Sequence, residues 1–198
     1  IFWDSGHTTG FGNKIIAENV FSVISSYFGK THPVIHSLHA EKSESKIGVV
    51  YAAGSDLSGR NFDSLNLQNA VFDKADLSNT SFKNANINGA RFAFANLNNS
   101  NLLDRTDLSN INLAGTDLSN LNLKGKNLSG TILIGVDLSG KDLTGTILIG
   151  TDLSNANLTG ANLSGKDLTE TILIGTDLSN TNLTGVDLSG VDITETIL

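Results

Sequence analysis

The chain has 198 residues and a formal net charge of −7, with 20 glycines, one proline and neither cysteine nor methionine. A disulfide-stapled domain, a thiolate metal site and a cysteine nucleophile are therefore excluded, and no apolar run approaches the roughly eighteen residues that cross a bilayer. Residues 1 to 54 carry four acids and four bases, leaving 16 of the 20 acids and nine of the 13 bases on residues 55 to 198; such an acidic, arginine-poor surface argues against direct nucleic-acid binding through phosphate neutralisation.

The beginning at Ile1, with no methionine anywhere, is expected of a piece of a longer precursor. The first stretch, "IFWDSGHTTGFGNKIIAENVFSVISSYFG", sets Ile15, Ile16, Val20, Phe21, Ile24 and Phe28 near helical spacing, with Gly29 as a stop. A short helix is predicted there. Asp4 stands three residues before His7, ahead of that helix. This DxxH block, with its loop and amphipathic helix, resembles the last block of the GDSL (SGNH) esterases and lipases, although Thr8 replaces the family's usual proline. The resemblance implies that Asp4 orients His7, a general base toward a serine far upstream. The serine, glycine and asparagine blocks of such an enzyme would precede Ile1, so the chain alone is not expected to be catalytic. On the plainer reading, His7 is a loop histidine bonded to Asp4. The hydrolase reading implies secretion; without it, a cytoplasmic setting is expected.

In "THPVIHSLHAE", His32, His36, His39 and Glu41 have the spacing of zinc ligands on a helix. Pro33 and the shortness of the segment weigh against that helix. Residues 30 to 45 are read as a linker, with no metal or other cofactor expected, and "KIGVVYAAG", residues 46 to 54, as a strand capping the periodic region that begins at Leu57.

From Leu57 onward an apolar residue recurs every five positions, a period belonging to neither helix nor strand. The series runs Leu57, Phe62, Leu67, Phe72, Leu77, Phe82, Ile87, Phe92, Leu97 and Leu102, slips by one residue near Asp104 and Arg105, and resumes from Leu108 to Leu198. That gives 29 units, ten and nineteen in two registers. A small residue lies two before most centres, Asp or Asn one before, Ser or Thr one after, and Gly or Asn two after. Glycine and asparagine tolerate positive φ and suit a corner turned every few residues. A chain that turns so often closes a narrow square coil, and coils stack at about 4.8 Å.

The pattern A-(D/N)-L-x-x, seen in "ADLSN", "ANLNN", "ANLTG" and "ANLSG", resembles the pentapeptide-repeat family over residues 55 to 198. The resemblance implies an all-β, right-handed quadrilateral β-helix of about seven coils, here preceded by the short N-terminal helix. Phe62 should then lie under Phe82, and Phe72 under Phe92, on opposite walls. Arg60, Lys126, Lys141 and Lys166 fall in the inward small slot, where they must snorkel or find partners, with locally wider coils. The chain ends on a repeat with no polar cap, an edge that favours end-to-end pairing or signals truncation.

Function must lie on the outward positions. Asp56, Asp76, Asp117, Asp137 and Asp177 form an acidic strip on one wall, which either solvates that wall and closes its turns or captures a basic or calcium-bearing partner. The family includes bacterial proteins that resemble duplex DNA and bind DNA gyrase, so the resemblance admits a free-standing acidic mimic. The three "TILIG" units expose Ile132, Ile134, Ile147, Ile149, Ile172 and Ile174, an apolar interface for a neighbouring domain or a second copy. Three roles are open: the accessory solenoid of a GDSL-type hydrolase, docking a protein partner or its own hydrolase domain; an acidic mimic; or a rod that forms homodimers through its C-terminal end or the TILIG wall.

Overall fold

The structure, a computed structural model, describes residues 50 to 198. The expected helix after Gly12 and the linker through residue 45 lie outside the described residues. Most units of five share one plan. The residue before the centre forms an isolated parallel bridge to the coil on one or both sides, the centre points inward, a two-residue turn follows, and the fifth residue points inward again. Each wall is too short for a longer strand, so the sheets consist of isolated bridges stacked coil on coil.

Two sets of backbone bonds produce this form. Within a unit, the N–H three residues past the centre returns to the centre's carbonyl, as Ala75 does to Phe72 at 3.0 Å. Between coils, the Leu57 N–H donates to the Asp76 carbonyl at 2.8 Å, and the Asp76 N–H to that of Ser55 at 2.9 Å. The second turn residue takes a left-handed φ, which is why glycine is commonest there and asparagine, as at Asn69 (58°) and Asn155 (56°), the commonest substitute.

Bridges join each residue to the one twenty further on, as in Asp56 to Asp76 and Asn61 to Ser81. Four walls result, numbered here from Asp56, Asn61, Asn66 and Val71. Residues 50 to 54 continue the pattern one unit upstream of Leu57, in a stretch expected to be a capping strand. There Tyr51 bridges to Val71 and Ala52 is buried.

The interior changes composition along its length. In the first coils, Phe62 and Phe82 stack at 5.0 Å, Phe72 and Phe92 at 5.4 Å, and the two pairs meet edge to face. The expected phenylalanine ladders on opposite walls are present. Ala70, Ala75, Ala85, Ala90 and Ala95 make room for the rings. Farther along, the centres are leucines and the small slot holds Thr131, Thr146, Thr151, Thr171 and Thr176, all buried. Their hydroxyls donate to the carbonyls of Leu108, Leu123, Leu128, Leu148 and Leu153 at 2.7 to 2.9 Å.

The one-residue slip is absorbed by a single-turn 3-10 helix, Asn101–Asp104, N-capped by the Ser100 side chain. Asn101 Oδ1 accepts from the Phe82 N–H at 2.6 Å, the place of a ladder carbonyl. Arg105 donates to the carbonyls of Phe82 and Ala85 at 3.2 and 3.1 Å. Lys126, buried, donates to those of Leu103 and Arg105 at 2.9 and 2.8 Å. The other inward lysines also end on carbonyls one coil below: Lys141 on Ser119 and Leu121, Lys166 on Thr146. Beside both, the ladder lapses among the described residues, since no bridge joins Asn122 to Asp142 or Asp167 to Asp187. Beside Arg60 and Lys126 the bridges are kept, from Asn61 to Ser81 and from Asp107 through Asn127 to Ile147.

Candidate interaction surfaces

Wall 1 brings Asp56, Asp76, Asp137 and Asp177 into one column, with Asn96 and Asn157 between them, and Asp117 occupies the coil between Asn96 and Asp137. Each carboxylate folds back on its own turn. The Ser58 N–H donates to Asp56 Oδ1 at 3.1 Å, and the N–H groups of Ser78, Ser119, Ser139 and Ser179 do the same at 2.9 Å to Asp76, Asp117, Asp137 and Asp177. Hydrogen bonds from the serine two residues on hold Asp117, Asp137 and Asp177 below the ordinary carboxylate range. The same closure occurs at Asp107, Asp142, Asp167, Asp187 and Asp192 on the other walls. Turn-building is thus what these aspartates do on every face.

The six isoleucines do not share a face. Ile132 and Ile172 bridge within wall 4, carrying Ile134 and Ile174 with them, whereas Ile147 bridges to Asn127 on wall 3 together with Ile149. The cause is arithmetic: "TILIG" recurs after 15 and 25 residues, and neither spacing is a whole coil of twenty. Wall 4 is also the only face, among the described residues, whose bridges run without a gap, from Tyr51 through Val71, Arg91, Asn112, Ile132, Asp152 and Ile172 to Asp192.

The same face holds a residue that five-fold counting did not single out. Phe94 fills a turn slot next to wall 4 with φ 57° and is 63% exposed. A bulky side chain in left-handed backbone is disfavoured. Its ring lies over the next corner, where a Cβ on Gly115 would fall 2.2 Å from it. The sequence did carry the signal: an aromatic stood where nearly every unit has Gly or Asn. Phe94, Ile134 and Ile172 are thus exposed apolar residues on alternate coils of one continuous ladder.

Near the far end, an open cleft of about 530 Å³ lies between residues 165–170 and 185–191 on wall 3, with Lys166, Asp167, Glu170 and Asp187 in its lining. Burial pushes the Lys166 amine down. Among the described residues no cluster of His, Cys, Asp and Glu is arranged to hold a metal ion, and no helix is long and apolar enough to cross a membrane. Asp4, His7, His32, His36, His39 and Glu41 lie outside the described residues.

A family model for pentapeptide repeats matches residues 53–89, 66–102, 103–140, 142–171 and 167–198. The match leaves residues 1 to 52 untouched, and nothing in it carries the esterase resemblance of Asp4 and His7. No curated protein matches the chain. Among solved structures, HetL, a pentapeptide repeat protein involved in heterocyst differentiation regulation in the cyanobacterium Nostoc, is 27% identical, with 75% of this chain and 70% of that one covered and a TM-score of 0.27. A pentapeptide repeat protein of the Arabidopsis thaliana thylakoid lumen is 25% identical, covering 74% and 70%, at a TM-score of 0.24. QnrB1, a plasmid-mediated fluoroquinolone resistance protein, is 21% identical, covering 72% and 89%, at a TM-score of 0.23. At these scores the fold rests on the family match and the parallel bridges, not on the superpositions.

Proposed function

The chain belongs to the pentapeptide-repeat family and its right-handed β-helix, and from that premise we propose that the solenoid is a protein-interaction module whose working face is wall 4. The observation that carries this reading is the presence of exposed Phe94, Ile134 and Ile172 on the one ladder that is unbroken among the described residues. Single exposed apolar residues are ordinary, but three of them on one wall of a rigid solenoid mark a candidate contact surface. A photo-crosslinking residue placed at Phe94 or Ile134 in cells is expected to give discrete protein adducts, and the same residue at Asp137 on wall 1 is not. Adducts that fail to form at wall 4, or form equally on both walls, overturn the assignment.

A second reading is favoured by the near-continuous carboxylate column of wall 1, which suits a basic partner such as DNA gyrase. Neutralising Asp117, Asp137 and Asp177 to asparagine keeps the turns and removes the charge. Inhibition of gyrase supercoiling by the parent chain, lost in that variant, would support this reading, and no inhibition would end it.

The finer reading, an accessory module of a GDSL-type hydrolase, rests on the spacing of Asp4 and His7. A hydrolase domain with a G-D-S block encoded upstream of Ile1 would support it. A natural start within a few residues of Ile1 would remove it.

A further inference from the structure

We infer that residues 117 to 123, "DLSNLNL", form a strap that lifts off walls 1 and 2 while wall 4 holds the rod together, with the Lys141 ammonium as its latch. Where the ladder is complete, a centre donates to the coil that follows, as Leu133 does to the Asp152 carbonyl at 2.8 Å. The residue before it donates to the coil that precedes, as Ile132 does to the Ile111 carbonyl at 3.0 Å. The strap does neither. Among the described residues the N–H groups of Asp117, Leu118, Asn122 and Leu123 find no acceptor, and neither Asp117 nor Asn122 forms a bridge on either side. Among those residues, too, no hydrogen bond joins the strap to residues 96 to 104 of the coil before it.

The residues around the slip account for the gap. On wall 2 the preceding coil carries the 3-10 helix Asn101–Asp104 where a bridge residue would stand, so it offers Asn122 no ladder partner. Leu121, half-buried, puts a branched side chain in the slot that most units fill with alanine or threonine. The same slot one coil on holds Lys141, whose ammonium donates to the carbonyls of Ser119 and Leu121, the latter at 3.2 Å. In the bonded pattern the Leu121 carbonyl belongs to the Asp142 N–H. The cation therefore replaces a rung with a contact that one side chain can release. The other ties are also side-chain contacts: the Thr146 hydroxyl donates to the Leu123 carbonyl at 2.8 Å, and Lys124 pairs with Asp142 at 3.6 Å on the surface, where such pairs contribute little. The ladder resumes at two glycines that bracket the strap, Gly115 donating to Ile134 and Gly125 to Thr144, each at 3.0 Å.

On wall 4 the same coil is bridged on both sides, from Asn112 through Ile132 to Asp152, so the strap opens locally rather than by parting the rod. Segments with few backbone bonds lie at the low-stability end of a structure and open on their own. Opening uncovers Leu118 and Leu123, both buried when the strap is closed, and takes Asp117 out of the carboxylate column of wall 1. The strap thus gates the acidic face at its middle, independently of what binds wall 4.

Thiol reactivity separates a strap that moves from one that merely lacks bonds, because the Leu123 side chain is buried and only opening exposes it. The chain has no cysteine, so a single introduced thiol reports alone. Leu123→Cys and Leu133→Cys make the same change in one coil, on walls 2 and 4. With the full chain and a small maleimide, Leu123→Cys is expected to react about a hundredfold faster. Lys141→Met, which keeps the stem, should speed Leu123→Cys roughly tenfold further and leave Leu133→Cys unchanged. Lys141→Arg, which still donates, should restore the slower rate. Equal rates at the two positions, or equal acceleration of both by Lys141→Met, overturn the inference. Should the cysteine variants misfold, the unmodified chain decides. Trypsin is expected to cut after Lys124 well before Lys74 and Lys83, which are exposed on bridged coils. Cleavage at all three together, or at none, overturns it. Photo-adducts at Phe94 or Ile134 bear on wall 4 alone and leave the strap standing or falling by these rates.

Discussion

The ten units before the slip and the nineteen after it fill the same square bore with different atoms. Before it, four phenylalanine centres alternate with leucine or isoleucine and alanine is the commonest rung; after it, the centres are leucine apart from Ile193 and threonine is the commonest rung. A larger centre is balanced by a smaller rung, so the bore stays close-packed throughout. The means of cohesion differ. The first half adds ring stacking, at about 0.5–1.5 kcal/mol per pair beyond the area buried. The second adds a buried hydroxyl-to-carbonyl bond at most rungs that hold threonine. Five-residue periodicity thus fixes the bore, while the identity of each pair determines what holds one coil to the next.

The contrast between the halves is most exposed to test at the phenylalanines. Phe82→Ala removes a ring that stacks on Phe62 and meets Phe72 and Phe92 edge-on, and is expected to cost about 3–5 kcal/mol in urea unfolding. Two reciprocal changes are more pointed. Phe82→Leu should leave a cavity beside Thr80 and Ala85, and Leu148→Phe should overpack between Thr146 and Thr151, each at about 1–3 kcal/mol. If both are nearly neutral, the two halves are interchangeable and the pairing rule is wrong.

The join between the halves comes next in size. Lys126 spends its ammonium on the carbonyls of Leu103 and Arg105, and burial pushes its amine down from the ordinary lysine value. Lys126→Met keeps the stem and strands two acceptors, at about 1–3 kcal/mol. Hydrogen exchange should report it locally, with faster exchange at Leu108 and Asn127, whose N–H groups bond across the adjoining coils, and little change at Phe72. Uniform acceleration along the rod would mean that the join is not a boundary.

Much of this fold is legible in the spacing alone. The wall to which each outward residue belongs follows from counting to twenty, and the phenylalanine stacks follow from the same count. Phe94 escapes that count because counting centres treats turn slots as filler, and a left-handed aromatic there breaks the local rule. Grouping the six isoleucines by motif overlooks their positions modulo twenty, which separate Ile147 and Ile149 from the rest. The inward lysines are recognisable as a burial problem, but their solution depends on which carbonyls the coil below leaves open. That is a property of neighbouring coils, not of any one unit. The acidic strip is legible as a pattern, whereas the serine that engages each carboxylate shows it to be local turn chemistry repeated on every wall.

Smaller still is the exchange of rung chemistry. Thr151→Val keeps the shape and removes the bond to the Leu128 carbonyl, and should cost about 1 kcal/mol in urea unfolding. Ala90→Thr, the reverse change beside Phe92, brings a hydroxyl and a methyl into space the rings already occupy. It should destabilise rather than help. A gain at Ala90 would show that the threonine rungs are preferred everywhere and that the aromatic half holds alanine for some other reason.

The smallest effect concerns pH. Asp107, Asp117, Asp137, Asp142, Asp167, Asp177, Asp187 and Asp192 are held below the ordinary carboxylate value, chiefly by hydrogen bonds from the serine or threonine two residues on. All eight follow the slip. A carboxyl more acidic in the folded chain than in the unfolded one contributes stability above its unfolded value and loses it as pH falls through the folded value, because the unfolded state then binds more protons. These groups are exposed, so each contribution is small, but they act together on one end of a quasi-one-dimensional rod whose coils contact only their neighbours. Between about pH 5 and about pH 3, amides around Leu128 to Leu173 should lose exchange protection, and Asp137→Asn should blunt the loss near its own turn. An unchanged loss in that variant would mean that the turn carboxylates do not set the acid response.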